Sequence, residues 1–233
     1  MSTLSAILFD LDGVLISTDK GVIALWHDVL GRYDVTASED DLRRHAVGCS
    51  AEHTIDHFLG SRDAHTRSSA FDDVRAAEQS LDFDLVTGAA DLLAAVRRAG
   101  ISVGYVTGAS SSRLTRALAA LGAPAGDVAV VWGDAPHGKP APDSYLLAAE
   151  RLSLSPGACL VVEDSVGGVT AAVAAGCPCL AVATAGDAEQ LDYAGADVVI
   201  ESLLSLTLSS THDGGHILAT DEGDFYFPSP TAQ

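Results

Sequence analysis

The sequence predicts an α/β fold: a doubly wound, Rossmann-like parallel sheet with an α-helical segment inserted after the first strand. Three features of the pattern carry that reading. Short apolar runs alternate with Ala/Leu-rich helical periods, the runs turn polar at their carboxyl ends, and residues 16–83 hold helical periods without a convincing buried strand. Strands buried on both faces read as unbroken apolar runs, and the helices between them supply the crossovers a parallel sheet requires. Helices layered on both faces of such a sheet define the class.

The elements follow in order. AILFDLD (6–12) is the first strand and ends abruptly in acids. ISVGYVTG (101–108), DVAVVW (127–132), ACLVVED (158–164) and CPCLAVAT (177–184) repeat the theme, and ADVVIESL (196–203) adds a weaker sixth. Helical periods fall at 89–99, 111–121, 142–152, 166–175 and 187–194. GVIALWHDVLGRY, SEDDLRRHA and SAEHTIDHFLG belong to the helical insertion, with Gly13 and the following residues as one hinge and FDLVTG (83–88) as the other. The expected organisation is a core of 1–15 and 84–206, a cap of 16–83, and a tail of 207–233. Gly, Pro, Ser and Thr punctuate the tail, where HILAT and FYF read as short strands of a hairpin or as a partly ordered extension. His212, Asp213 and His216 in that tail are read as surface residues rather than metal ligands.

With 233 residues, 48% of them hydrophobic, the chain can bury a sizeable core. No apolar run reaches the roughly 18 residues of a membrane span, and the start MSTLSAILFDLDG lacks the basic region of an export signal. A cytoplasmic location without a membrane partner is expected. Cys49, Cys159, Cys177 and Cys179 are then expected to be reduced, buried small residues. A net charge of −19 and a pI of about 4.4 repel nucleic-acid backbones. They would repel an anionic substrate as well, unless its site carries local positive charge. The chain has two lysines, Lys20 and Lys139, so their placement is informative.

Ligands of open α/β sheets bind beyond the carboxyl ends of the strands, and four such ends carry chemistry. Asp10-Leu11-Asp12-Gly13 sets two carboxylates where the chain leaves the sheet. Asp10 can act as a nucleophile and Asp12 as a general acid and base, with Gly13 allowing a sharp turn. Thr107-Gly108 offers a hydroxyl and backbone N–H groups to phosphate oxygens. Lys139, between Gly138 and Pro140, supplies a cation that would neutralise phosphate and aspartates. Glu163-Asp164-Ser165 presents two acids before a helix, which suits a hard cation such as Mg²⁺. Each end has a plain alternative: a polar turn, a helix N-cap at TGASSS or EDS, a surface lysine. Their co-occurrence at four strand ends of one sheet favours a site.

FDLDGVL, the Thr107 strand end, GKPAPD and VVEDSVGGVTAAVAAG together make the chain resemble the haloacid dehalogenase superfamily over residues 5–205, in particular the phosphatase and β-phosphoglucomutase-like members with a helical cap. The resemblance implies a Mg²⁺-dependent hydrolase of a small phosphorylated metabolite, of the sugar or polyol phosphate type. It implies Asp10 as nucleophile, Asp12 as acid and base, and Thr107, Gly108 and Lys139 as phosphate binders. Asp164 would bind Mg²⁺ with Asp10 and the Asp12 backbone carbonyl, with Glu163 close by. The cap would close over the substrate, and Arg43, Arg44, His45, Cys49 and His53 are its candidates for specificity, each with a solvated or packed alternative.

Within that superfamily the residues separate the chemistries. Dehalogenases lack an acid at the place of Asp12, because a halide leaves without a proton. Phosphonatases need a cap lysine, and the cap offers Lys20 alone, near its start. The mutases carry a His twelve residues after the nucleophile, where this chain has Val22, and an Arg after a cap Gly-x-Ser, where Gly48-Cys49-Ser50 is followed by Ala51. Hydrolysis is therefore expected. A phosphomutase, or an inactive relative that binds a phosphorylated ligand or a protein, is the alternative; monomer and dimer are equally compatible with the sequence.

Overall fold

The computed structural model describes residues 3–47, 49, 51–184 and 188–229. Strand β1 (Ala6–Phe9) leads through β2 (Ile16–Ser17) into four helices, α1 (Asp19–Arg32), α2 (Glu39–His45), α3 (Ala51–Leu59) and α4 (Ala64–Glu78). The chain returns through β3 (Asp84–Leu85) to α5 (Ala89–Arg98), β4 (Ser102–Val106), α6 (Ser111–Ala120), β5 (Val128–Val130) and α7 (Asp143–Arg151). Then follow β6 (Cys159–Glu163), α8 (Val166–Ala175), β7 (Cys179–Val182), α9 (Ala188–Tyr193) and β8 (Val198–Ile200). The last strands are β9 (Thr207–Ser210), β10 (His216–Ala219) and β11 (Asp224–Phe227). The backbone divides into two compact units, one of residues 1–16 and 85–233, the other of 17–84.

The larger unit is built on a six-stranded sheet in the order β5-β4-β1-β6-β7-β8, with every neighbouring pair parallel. This is the doubly wound order the apolar runs predict. Winding proceeds outward from β1 to β4 and β5, then resumes on the other side with β6, β7 and β8. The reversal occurs at β1, which makes its carboxyl end the topological switch point of the sheet. All four residues of β1 are buried, flanked in register by Tyr105 of β4 and Val162 of β6 at Phe9. Gly104 of β4 shows how tightly this centre is packed: a Cβ there would lie 2.5 Å from Leu8 and 2.7 Å from Val128. On α8, VGGVTAAVAA brings small side chains to the sheet, where Gly168, Val169, Ala171, Ala172 and Ala175 are buried.

Cys159, Cys177 and Cys179 are buried as the sequence predicts, whereas Cys49, on the smaller unit, is exposed; two further details differ from the sequence reading. The first strand stops at Phe9, so Asp10 and Asp12 lie in the loop beyond the sheet, where their carboxylates are released from the alternation of a strand. The tail is more ordered than a hairpin: β9, β10 and β11 form a three-stranded antiparallel sheet in the order β11-β10-β9, burying Leu218, Phe225 and Phe227. Strand β9, TLSS, lacks the apolar run that identifies a strand in sequence. In the same tail Asp213 accepts hydrogen bonds from Thr211 and from the Tyr226 hydroxyl at 2.7 Å, so its carboxylate closes a turn. Residue 187, the expected start of the last core helix, lies outside the described residues, as do 48 and 50 of the cap Gly-x-Ser. No helix among the described residues is long and apolar enough to cross a membrane.

The smaller unit is helical, with a core of Trp26, Val29, Leu30, Leu42, Ile55 and Leu59. Ser38 and Asp63 cap α2 and α4 by accepting the Asp41 and Thr66 N–H groups. His45 and His57 stack with ring centroids 3.7 Å apart, and His53 lies 5.9 Å from His45. Partial burial, then the proximity of His57 and His53, hold the proton affinity of His45 below the ordinary imidazole value of 6.5. As pH falls the unfolded chain therefore takes up its proton first, so the stability contributed by this group is full above about 6.5 and is lost progressively below it. With Trp132→Phe, Trp26 remains as the only tryptophan, and its fluorescence reports this unit. Its denaturation midpoint is expected to fall between about pH 7.5 and 5.5, and to fall less in His57→Gln, which removes the stacked charge.

Candidate active site

The constellation at the switch point begins with Asp10, the first residue beyond β1, 7% exposed, whose N–H still donates to Val162 O at 2.9 Å. That ladder bond fixes the backbone as the chain turns away from the sheet. Lys139 arrives from the loop between β5 and α7. Its ammonium donates to Asp10 Oδ1, to Glu163 Oε1 at 2.6 Å and to the Val106 carbonyl at 3.0 Å, and lies 5.0 Å from the centre of the Tyr145 ring. An ammonium has three N–H donors, and all three are used. Lys20, the other lysine, is exposed and lies 3.6 Å from Asp84.

Glu163, the last residue of β6, is completely buried. One oxygen, Oε1, accepts from Lys139 and from the Tyr145 hydroxyl at 2.7 Å. The other, Oε2, accepts from the Asp164 N–H at 3.0 Å, the Ser165 N–H at 3.3 Å and the Ser165 hydroxyl at 3.2 Å. With both oxygens occupied, Glu163 holds Lys139 and the β6–α8 turn in place. Ser165 also caps α8 through the Gly168 N–H, so the N-cap alternative for this segment holds beside the acidic cluster.

Two glycines make room for two acids. An ideal Cβ on Gly13 would sit 1.7 Å from Asp164 Oδ2, and Gly13 has φ +81°, so only glycine meets both demands. A Cβ on Gly168 would sit 1.9 Å from the Glu163 carboxylate. Thr184, at the end of β7, donates to the Gly13 carbonyl at 3.0 Å and pins the same loop.

The remaining expected residues sit on neighbouring strand ends. Thr107 follows β4, is buried, and accepts the Ala109 N–H on its hydroxyl oxygen at 2.9 Å. Gly108 is exposed, with open space above its Cα. Asp12 is half-buried, and its Oδ2 lies 3.5 Å from Arg113 Nη2. In the helical unit Arg43 and Arg44 are tied to Glu39 at 2.8 Å and Asp41 at 3.9 Å.

Charge is unevenly balanced here. Burial first of all, with the Glu163 and Asp12 carboxylates adding to it against the pull of Lys139, pushes Asp10 up to about 7. Burial, then Glu163 and Asp10, drive Asp164 well above the carboxylate range. Burial would raise Glu163 as well, but Lys139 and the donors on both its oxygens hold it below its ordinary value. Burial opposes the charge on Lys139 too, yet Asp10 and Glu163 outweigh that and raise its affinity for the proton. Carboxylate oxygens of Asp10, Glu163 and Asp164 lie within 4.8 Å of one another, and they are the one such His/Cys/Asp/Glu group among the described residues. An all-oxygen set with surplus negative charge fits Mg²⁺, which prefers hard oxygen ligands and few protein carboxylates.

Tyr145, Thr184, Gly168 and Arg113 join the site without being among the strand-end residues that the sequence marks. Arg113 could have been found, since it falls on the same face of α6 as the buried Leu114, Ala117 and Leu118, a place for an apolar residue. A surface cleft of about 640 Å³ between α8 and α9 contains none of these side chains. Converging charge marks the candidate site.

A Rossmann-like sheet with paired aspartates beyond its central strand, a lysine bridging two acids and a second acid at the next strand end is the arrangement of a class of α/β hydrolase. The chain belongs to the haloacid dehalogenase-like hydrolase family, whose sequence profile matches residues 7–182. It is 32% identical over 214 residues to hexitol phosphatase A of Escherichia coli (strain K12), covering 91% of this chain and 97% of that protein. It is 26% identical over 227 residues to the β-phosphoglucomutase of Bacillus subtilis (strain 168), covering 90% and 95%. Among solved structures it resembles a haloacid dehalogenase family hydrolase from Deinococcus radiodurans R1 with bound phosphate and sodium, with TM-score 0.67 and 27% identity over 88% of this chain and 93% of that one.

Because the Gly168 position is filled by the Glu163 carboxylate, Gly168→Ala is expected to cost about 1–3 kcal/mol of stability, as overpacked cores do. Gly167→Ala, where a Cβ meets nothing within 4 Å, is the control and should be neutral or slightly stabilising. Urea denaturation of the two variants checks this.

Proposed function

We propose that this chain is a Mg²⁺-dependent phosphatase that hydrolyses a small phosphate monoester, of the sugar or polyol type, through a phosphoryl group carried on Asp10. The supporting observation is the Lys139 ammonium shared between Asp10 and Glu163 at the switch point, beside Asp164. Similarity to a hexitol phosphatase and to a phosphate-bound hydrolase supports the substrate class.

Lys139 engages Asp10 Oδ1, and in this reading the other carboxylate oxygen attacks phosphorus. In the first step that oxygen bonds to phosphorus, the bond to the ester oxygen breaks, and Asp12 gives its proton to the departing alkoxide. In the second, Asp12 takes a proton from water, the water oxygen bonds to phosphorus, and the bond to Asp10 breaks. Inorganic phosphate leaves and Asp12 is protonated again. Thr107, the Gly108 N–H and Lys139 are the binders of the phosphate oxygens. Lys139 must give up one of its three protein acceptors to reach them. Asp10 and Asp164, with the Asp12 carbonyl, would hold Mg²⁺, which supplies charge neutralisation to the phosphoryl group. The helical unit is assigned to substrate choice.

A mutase reading draws on the B. subtilis relative. Val22 and Ala51, where the mutases have His and Arg, weigh against it.

In a screen of sugar and polyol phosphates with Mg²⁺, wild type is expected to release phosphate and Asp10→Asn to release none. Asp12→Asn should lower kcat by about 10²–10⁴, the usual worth of general acid–base catalysis. Asp10→Asn turning over at the wild-type rate overturns the mechanism. Conversion of glucose 1-phosphate to glucose 6-phosphate without phosphate release would establish the mutase instead. Removing divalent ions with a chelator should abolish turnover, and added Mg²⁺ should restore it.

A further inference from the structure

Arg113 is the second cation of this region, and neither binding the phosphate nor holding the metal uses it. It sits in the first turn of α6, directly after the Thr107-Gly108 turn, and is 6% exposed. A buried guanidinium is costly unless it is paired and its donors are satisfied. Here the ion pair is with Asp12 Oδ2 at 3.5 Å, and Nε has no hydrogen-bond partner among the described residues. As a purely structural residue it is poorly provided for. Leu114, Ala117 and Leu118 already supply the apolar contact of this helix face. Its burial therefore calls for a partner at the site itself.

We infer that Arg113 is a positioning residue for Asp12, holding that carboxylate at the place from which it delivers and collects the proton, and tying it to the helix that opens at the phosphate turn. The inference rests on the phosphatase reading. Asp12 lies in a loop just beyond β1 and is half-buried, so its side chain has rotamers to choose among. The Arg113 guanidinium, 3.5 Å from Asp12 Oδ2, restricts that choice by its charge from the core side. The effect belongs to the proton-transfer steps and not to substrate binding.

Leaving groups separate this role from a structural one. A hexitol phosphate departs as an alkoxide and needs the proton from Asp12, whereas p-nitrophenyl phosphate departs as a stable phenolate and does not. Arg113→Met, of similar length and uncharged, is expected to lower kcat on a hexitol phosphate by about 10–100-fold, part of the full worth of the acid. Asp12 also takes the proton from water in the second step, so the two esters are compared by the single-turnover rates of alcohol and nitrophenolate release, which report the first step alone. The p-nitrophenyl phosphate rate should change by less than about 3-fold while the hexitol phosphate rate falls, and KM should hold within the same range for both. Arg113→Lys should recover part of the loss. Equal losses on the two esters, or none on either, overturn the inference and leave the phosphatase reading standing. Wild type that releases phosphate from neither ester overturns both. Circular dichroism melting checks folding, and should Arg113→Met not fold, Arg113→Gln is read by the same ratio of the two rates.

Discussion

The contact on which the site depends is the Lys139 ammonium, donating at once to Asp10, Glu163 and the Val106 carbonyl. Four carboxylates, Asp10, Asp12, Glu163 and Asp164, converge at the end of a sheet whose centre excludes water, and unpaired charges in such a place are prohibitive. Lys139 offsets two of them directly. Its three acceptors come from β1, β4 and β6, the three central strands, so one side chain ties the switch point together across the sheet. Breaking a buried pair of this kind costs about 3–5 kcal/mol, because the partner is left uncompensated. The lysine is thus as much a condition for the acids being there as it is a candidate for the chemistry.

What Lys139 leaves unbalanced is informative. Glu163 is held ionised by donors on both oxygens, while Asp10 and Asp164 are pushed upward by burial and by each other's neighbours. The excess is confined to the two carboxylates proposed to share a divalent cation. Gly13 and Gly168 show that the acids are built into the packing. Each surrenders its side-chain volume to one of the acids, and Gly13 does so in a backbone conformation that other residues reach only with strain.

Much of this was legible in the sequence because strand ends are visible as places where apolar runs turn polar. The parallel sheet, its order of elements, and the placement of Asp10, Lys139 and Glu163-Asp164 at strand ends all follow from that one pattern. Other parts have no such mark. Tyr145 is an ordinary core aromatic until the fold brings its hydroxyl to Glu163, eighteen positions away. Gly168 looks like one more small residue in VGGVTAAVAA, since the carboxylate that fills its space comes from the preceding strand. Strand β9 is polar and exists by pairing with β10, which no local propensity announces. Arg113 does carry a mark, a charge on the apolar face of α6, but it stands behind a Ser110 cap that accounts for the polar run on its own.

A chain of net charge −19 must still attract an anion if it is to act on phosphate esters. The doubly wound topology answers part of this, since in parallel βαβ units every crossover helix begins at the carboxyl edge of the sheet. Helices α6 and α8, capped by Ser110 and Ser165, start next to the ends of β4 and β6, and their first turns carry partial positive charge. Lys139, part-buried, and Arg113, buried, add full charges at the same edge, where screening by salt is weak. The acidic remainder of the surface then works in the same direction. It repels polyanions such as nucleic acid over the whole molecule, while at the switch point the two cations and the helix starts offset part of the carboxylate charge and leave the remainder for the proposed Mg²⁺.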